Sequence, residues 1–262
     1  NRDVLRRSSV GLMMTRRSVS QRGPGSNDAY GVDGTFAFFQ DLTFNTYWMR
    51  TATPGLSGDD VSYRGRMEYN GDRYGVQVER LAVGANFNPE VGFVRRYDMR
   101  RSFGQFRFSP RPKSIEAVRR FVYQGKAEYI ENGTGRVETR KYEGEFKIEF
   151  QTGDAFEIKH EREYEYLKDP FRIATGVTIP TGAYYFHNTD LALNVAQQRK
   201  LSAQIRVEAG TFYSGSRVAL EVSRGRMNLT SRLSLEPTYS VNRVDLPEGA
   251  FTTHLFGSRV TY

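Results

Sequence analysis

Residues 121–166 decide the fold: FVYQGKAEYIENGTGRVETRKYEGEFKIEFQTGDAFEIKHEREYEY. Phe121, Tyr123, Gly125, Ala127 and Tyr129 alternate with Val122, Gln124, Lys126 and Glu128. Tyr142, Gly144, Phe146, Ile148 and Phe150 alternate in the same way with Glu143, Glu145, Lys147, Glu149 and Gln151. A period of two places each set on one face of a pleated strand. One face is apolar and aromatic, the other charged. Asn132-Gly133 and Gly153-Asp154 supply the turns, because these residues adopt positive φ at low cost. The stretch predicts strand, turn, strand, tight turn, strand. These strands exceed the roughly 5–6 residues usual in soluble sheets and reach the ~9–11 needed to cross a bilayer.

Two architectures produce such a pattern. A soluble sandwich turns the apolar face inward, whereas a transmembrane barrel turns it to lipid and lines its lumen with charge. Strand length and the many aromatics on the apolar face favour the barrel. The expected fold is all-β: an antiparallel up-and-down transmembrane β-barrel, with residues 1–262 as a single domain.

Composition is compatible with this. The chain of 262 residues is long enough for one large β domain. No apolar run could span a membrane as a helix, which leaves a barrel open, since barrel strands spend half their residues on a polar lumen. There are 18 Phe, 16 Tyr and no Cys, and the lack of Cys suits envelope and cytosolic proteins alike. The net charge of +8 comes from 38 Lys and Arg against 30 Asp and Glu. These basic residues are dispersed among acids, with no basic helix or compact block, which argues against nucleic acid as a partner. At strand ends they suit anionic lipid head groups instead. No signal peptide is visible, and a start at Asn1 reads as processed or truncated.

The same period runs outward in both directions. Towards the N-terminus, Arg6 to Arg17 holds a strand with Val10, Leu12 and Met14 on one face. Tyr30, Val32, Gly34, Phe36 and Phe38 form the next row, then Leu42, Phe44, Thr46 and Trp48, then Val61, Tyr63, Gly65, Met67 and Tyr69. Asn70-Gly71-Asp72 signals a hairpin into Tyr74, Val76 and Val78. Towards the C-terminus, Leu201, Ala203, Ile205, Val207 and Ala209 face away from Ser202, Gln204, Arg206 and Glu208. Met227, Leu229, Leu233 and Leu235 face away from Asn228, Thr230, Arg232 and Glu236. About fifteen strands are expected, with one turn of helix at most, over Ser114 to Arg120. Long and short connections alternate at first, as in outer-membrane barrels. The alternation falters after Phe150, which implies either a miscounted strand or a loop folded inward. An odd strand count cannot close antiparallel, and the chain ends mid-strand at Tyr262, so an incomplete barrel is expected.

Three segments carry a family resemblance: Asn88-Pro89-Glu90-Val91-Gly92-Phe93-Val94-Arg95-Arg96 with Asp98-Met99-Arg100, Val177-Thr178-Ile179-Pro180-Thr181-Gly182-Ala183-Tyr184, and Leu246-Pro247-Glu248-Gly249-Ala250-Phe251-Thr252-Thr253-His254. Together they resemble the domain of unknown function that follows a family-9-like carbohydrate-binding module in Gram-negative envelope proteins. The resemblance covers most of the chain. It implies an outer-membrane β-barrel, a central fragment with further strands before residue 1 and after residue 262, and carbohydrate and other envelope proteins as partners. It implies no catalytic residue and no cofactor.

The charged face holds the candidate binding residues, expected to line a lumen: Glu143, Glu145, Lys147, Glu149, Glu157, Lys159, Glu161 and Glu163. Paired carboxylates can hydrolyse a glycoside or bind calcium. A solvated wall with cross-strand Lys and Arg partners explains the same ladder with fewer requirements, because glycosidase acids sit in a shaped cleft. No Gly-x-Ser-x-Gly elbow or His-Glu-x-x-His motif accompanies His160, His187 and His254. Neither catalytic nor metal-binding residues are therefore assigned. His160 and Arg162 share parity with Phe156, Ile158, Tyr164 and Tyr166, which places an Arg on the face assigned to lipid. Tyr63, Tyr69, Tyr123, Tyr129, Tyr142 and Phe150 lie near strand ends, as an interfacial girdle would. The leading functional reading is an outer-membrane protein that transports or handles a substrate at the cell surface. A soluble or periplasmic sugar-binding sheet and a barrel-borne hydrolase using the Glu ladder are the alternatives.

Overall fold

The computed structural model describes residues 2–3, 7–228, 230 and 233–262. The expectations placed on Arg6, Leu229 and Arg232 lie outside the described residues. The elements in chain order are β1 (Arg2–Asp3), β2 (Ser9–Arg17), β3 (Asn27–Phe38), β4 (Leu42–Ala52), β5 (Val61–Asn70), β6 (Tyr74–Val83), β7 (Met99–Phe108), β8 (Val118–Glu131), β9 (Val137–Phe150), β10 (Ala155–Leu167), β11 (Phe171–Ala174), β12 (Val177–Ile179), β13 (Gly182–Val195), β14 (Leu201–Phe212), β15 (Gly215–Asn228), β16 (Ser234–Leu246) and β17 (Gly249–Thr261). Among the described residues there is no helix. The turn expected over Ser114 to Arg120 is a β-turn, closed by the Val118 N–H donating to the Ile115 carbonyl at 3.0 Å.

The fold is all-β and up-and-down antiparallel. Fifteen strands form one sheet in strict chain order, except that β10 pairs with β13 and β11–β12 form a separate two-stranded sheet. Since β1 has two residues, fourteen strands are of full length. The order begins at β1 and ends at β17, and no pairing joins these two among the described residues.

Strand β7 is the element that the sequence periodicity passes over. Arg101, Phe103, Gln105 and Arg107 alternate with Arg100, Ser102, Gly104 and Phe106, so both faces mix charge with aromatics and no period-two signal survives. With β7 counted, the connection at 151–154 takes a short turn's place in the chain order, like 39–41 and 71–73, although 109–117 is long in such a place and 213–214 and 247–248 are short where long loops fall. The connection at 168–181 takes a long loop's place, like 18–26, 53–60 and 84–98. The second half of that sequence expectation also holds, because 168–181 folds into the β11–β12 hairpin.

The chain forms two compact units, Asn1–Phe106 with Ala127–Arg140, and Arg107–Lys126 with Lys141–Tyr262. In the second unit, register aligns the apolar residues in continuous rows. Phe156, Leu193, Ile205, Val222, Tyr239 and Phe256 are successive cross-strand partners from β10 to β17. Ile158, Leu191, Val207, Leu220 and Val241 form the next row, which ends at His254. The first unit has the same device: Leu12, Val32, Trp48 and Tyr63 align, as do Phe36, Phe44, Met67 and Val78.

These rows are open to the surroundings. Phe156, Leu193, Ile205, Tyr239 and Phe256 are each at least 37% exposed, and Leu12 is 81% exposed. The opposite face carries buried charge, with Glu161 at 8% and Asp190 at 5% exposure. A soluble sheet reverses this polarity, burying its apolar face and exposing its charges.

Candidate functional site

The charged face of the second unit is built by strand parity and completed by register. On β8, the even positions Arg120, Gln124 and Lys126 point to the same face as the odd acids of β9. Arg120 grips Glu149 with two nitrogens, Nε to Oε2 at 2.7 Å and Nη2 to Oε1 at 3.0 Å. Gln124 donates to Glu145 at 3.2 Å, and Lys126 to Glu143 at 2.6 Å. From β9 to β10, Lys141 meets Glu161 at 2.7 Å and Glu163 at 3.7 Å. From β10 to β13, Lys159 meets Asp190 at 2.7 Å, with Arg206 of β14 on the other carboxylate oxygen at 4.0 Å. Arg217 of β15 pairs with Glu208 of β14. Opposite charges facing one another across strands are worth a few tenths to ~1 kcal/mol each and offset part of the cost of burying these groups, although Asp190 Oδ1 accepts no hydrogen bond among the described residues.

The eight residues singled out in the sequence therefore share one face but not one task. Glu143, Glu149 and Glu161 are tied to cations, and Glu145 accepts from an amide. Lys147 lies 3.5 Å from Glu149 on its own strand, and Lys159 bridges Asp190 and Glu161, the latter at 3.9 Å. Glu163 turns, with Lys159, Glu161, Glu165, Asp190, Glu208 and Arg217, into a cleft of about 290 Å³. Glu157 lies outside that cleft. Parity places Glu208 on the polar face, but the partners of Asp190, Glu208 and Arg217 are fixed by register and not by the strand they sit on.

An aromatic and aliphatic cluster walls this cleft. The β11–β12 hairpin inserts Val177 and Ile179 against Val244 and Leu246 of β16, all buried, and Ile179 is fully buried. Tyr184, Phe212, Tyr213 and Phe251 pack around them. Phe186 and Tyr213 meet edge to face at 5.1 Å, and both Phe186 and Tyr213 line the cleft. Residues 177–184 and 246–254, two of the segments that carry the family resemblance, thus meet in one core.

The turn at 151–154 holds a second charged arrangement. Asp154 Oδ1 accepts from the Ala196 N–H at 2.9 Å and from Arg199 Nε at 3.2 Å, while Thr152 Oγ1 donates to Oδ2 at 2.9 Å. The Arg199 bonds, then the Ala196 and Thr152 bonds, lower the Asp154 pKa to about 2.

The three histidines sit on the exposed face. His160 Nδ1 lies 3.0 Å from Thr189 Oγ1, Arg162 Nε donates to His187 Nδ1 at 3.3 Å, and His254 Nδ1 lies 3.0 Å from the Tyr239 hydroxyl. Arg162 stands on the apolar side as parity predicts, beyond the Phe156 and Ile158 rows and next to the Tyr164–Tyr185 pair, whose rings are 5.2 Å apart.

No family model and no curated protein matches the chain. Among solved structures, the chain is similar to the siderophore receptor PirA from Pseudomonas aeruginosa, with 12% identity and a TM-score of 0.47 over 90% of this chain and 45% of that one. The chain thus spans less than half of that receptor's length. The fold assignment stands on the strand pairing itself.

Proposed function

We propose that this chain is the membrane-spanning sheet of an outer-membrane β-barrel with a wet, charged interior, and that it takes part in the transport or surface handling of a polar substrate. The observation that carries this is the inverted polarity of the sheet. Exposed apolar rows run continuously across strands, while the charges behind them are buried and ion-paired. Lipid is the solvent that makes such a sheet stable, since it matches the apolar rows and leaves the charges to a water-filled interior. Polar backbone edges cannot lie free in hydrocarbon. The edges at β1 and β17 therefore need backbone partners within the membrane.

The cleft beside the hairpin suits a polar solute, with carboxylates, an amide and two cations next to aromatic rings. Carbohydrate is the substrate class that the resemblance favours, and envelope proteins are the partners. The ion pairs on Glu143, Glu149 and Glu161 support a structural role for the ladder over acid–base chemistry, which needs a carboxyl free to exchange its proton.

Extraction tests this reading. The protein is expected in the membrane fraction of its native cell, resistant to high salt and carbonate and released by detergent. A protein that appears in the soluble fraction and stays monodisperse without detergent would overturn it.

A further inference from the structure

A second cavity lies in the first unit, on the face opposite the exposed apolar rows. Loop 84–98 folds over the strands there and is fastened at its start. Asn27, 1% exposed, donates to Thr53 Oγ1 at 2.7 Å and to the Asn88 carbonyl at 2.8 Å, and accepts from the Glu90 N–H at 3.2 Å. The Asn88 N–H donates to Thr51 Oγ1 at 2.9 Å. Glu90 accepts from Ser20 Oγ at 2.6 Å and from the Gln21 N–H at 2.9 Å, with Arg17 at 3.7 Å. Burial opposes the Glu90 charge, but these bonds and Arg17 outweigh it and hold the carboxyl below its ordinary range.

Beyond this anchor the loop spans a cavity of about 420 Å³. That is within the ~300–1,000 Å³ typical of small-molecule sites. Its wall is apolar for a reason. Met13, Met49 and Leu81 contribute hydrocarbon and thioether surface, and Val94 lines it from the loop. Of the wall's polar groups, Ser62 Oγ donates to the Ala82 carbonyl at 3.0 Å and lies 3.1 Å from the Tyr47 hydroxyl, whereas the buried Thr15 Oγ1 has no hydrogen-bond partner among the described residues.

One charged lining group is also unpaired. Arg95 has no hydrogen bond or ion pair among the described residues. Its neighbour Arg96 is taken by Glu138, and the nearby Asp98 accepts from the Gly133 N–H at 2.9 Å. A largely apolar cavity with an exposed, unpaired guanidinium at its rim suits an amphiphilic anion. We propose that this cavity binds a small amphiphilic carboxylate, with its apolar body among Met13, Met49 and Leu81 and its acid group on Arg95. The inference does not depend on the membrane reading, because the cavity is bounded by residues of the first unit alone.

The test is calorimetric titration of the intact protein with 2-naphthoate and with the uncharged 2-naphthylmethanol, under the buffer or detergent that keeps the protein monodisperse. The acid is expected to bind at one saturable site and more tightly than the alcohol. Arg95→Gln should weaken the acid about tenfold, the loss of one charge-assisted bond, and leave the alcohol unchanged. Val94→Trp fills the chamber from the loop side without altering a strand, and should abolish both. Absence of saturable binding, equal affinity for the two probes, an acid affinity indifferent to Arg95→Gln, or binding that survives Val94→Trp would each overturn the proposal.

Discussion

At the scale of single residues, Asp154 shows how the turns are held. Its carboxylate gathers donors from Thr152, Ala196 and Arg199. Because its pKa falls to about 2 in the folded chain, its stabilising effect is complete above the unfolded value of ~3.9 and is lost as pH falls through about 2. The turns at 151–154 and 196–200 are therefore expected to loosen between about pH 4 and pH 2. Amide exchange at Ala196 should accelerate in that window, and Asp154→Asn should remove the pH dependence. Exchange at Ala196 that stays flat from pH 5 to pH 2 would contradict this. The sequence marked Gly153-Asp154 as a turn, but the reach to Arg199 depends on which strands pair, and composition does not reveal that.

At the scale of elements, clean alternation made β9 and β10 legible, while β7 escaped because both its faces mix charge with aromatics. Alternation also gave the charged face but not its pairs. Lys126 with Glu143 is a matter of register, and it can be tested as a pair. Lys126→Glu should lower stability by ~1 kcal/mol by setting two acids face to face, and adding Glu143→Lys should restore most of it. Denaturant unfolding of the single and double variants measures both numbers, and additive losses would contradict a direct pair. The inward hairpin was visible only as an irregular loop length, since the burial of Ile179 comes from β16, far along the chain. Ile179→Ala should cost ~3 kcal/mol of local stability by leaving a cavity against Val244 and Leu246. Hydrogen exchange across β11 and β12 should rise while β14 and β15 remain protected. Unchanged exchange in the hairpin would show that the cluster does not hold it.

At the scale of the whole molecule, the account rests on which solvent meets each face. Arg162 is the demanding residue, since it shares a face with Phe156 and Ile158. An Arg at a bilayer midplane costs ~2–4 kcal/mol, and near an interface ~0–1. Its place beyond the apolar rows, bonded to His187 and beside Tyr164 and Tyr185, fits the interface. Sequence periodicity could place Arg162 on that face, but only register shows that the apolar rows end before it. The chain has no Cys, so single spin labels can be introduced one at a time at Ile158, Leu193, Glu157 and Gln204 in the lipid-reconstituted protein. Collision with a lipid-soluble relaxant and with a water-soluble one then reads each face. Labels at Ile158 and Leu193 relaxed by the lipid-soluble agent, with Glu157 and Gln204 open to the water-soluble one, are the predicted result. Labels at Ile158 and Leu193 shielded from both agents, or relaxed mainly by the aqueous one, would contradict a lipid-facing sheet.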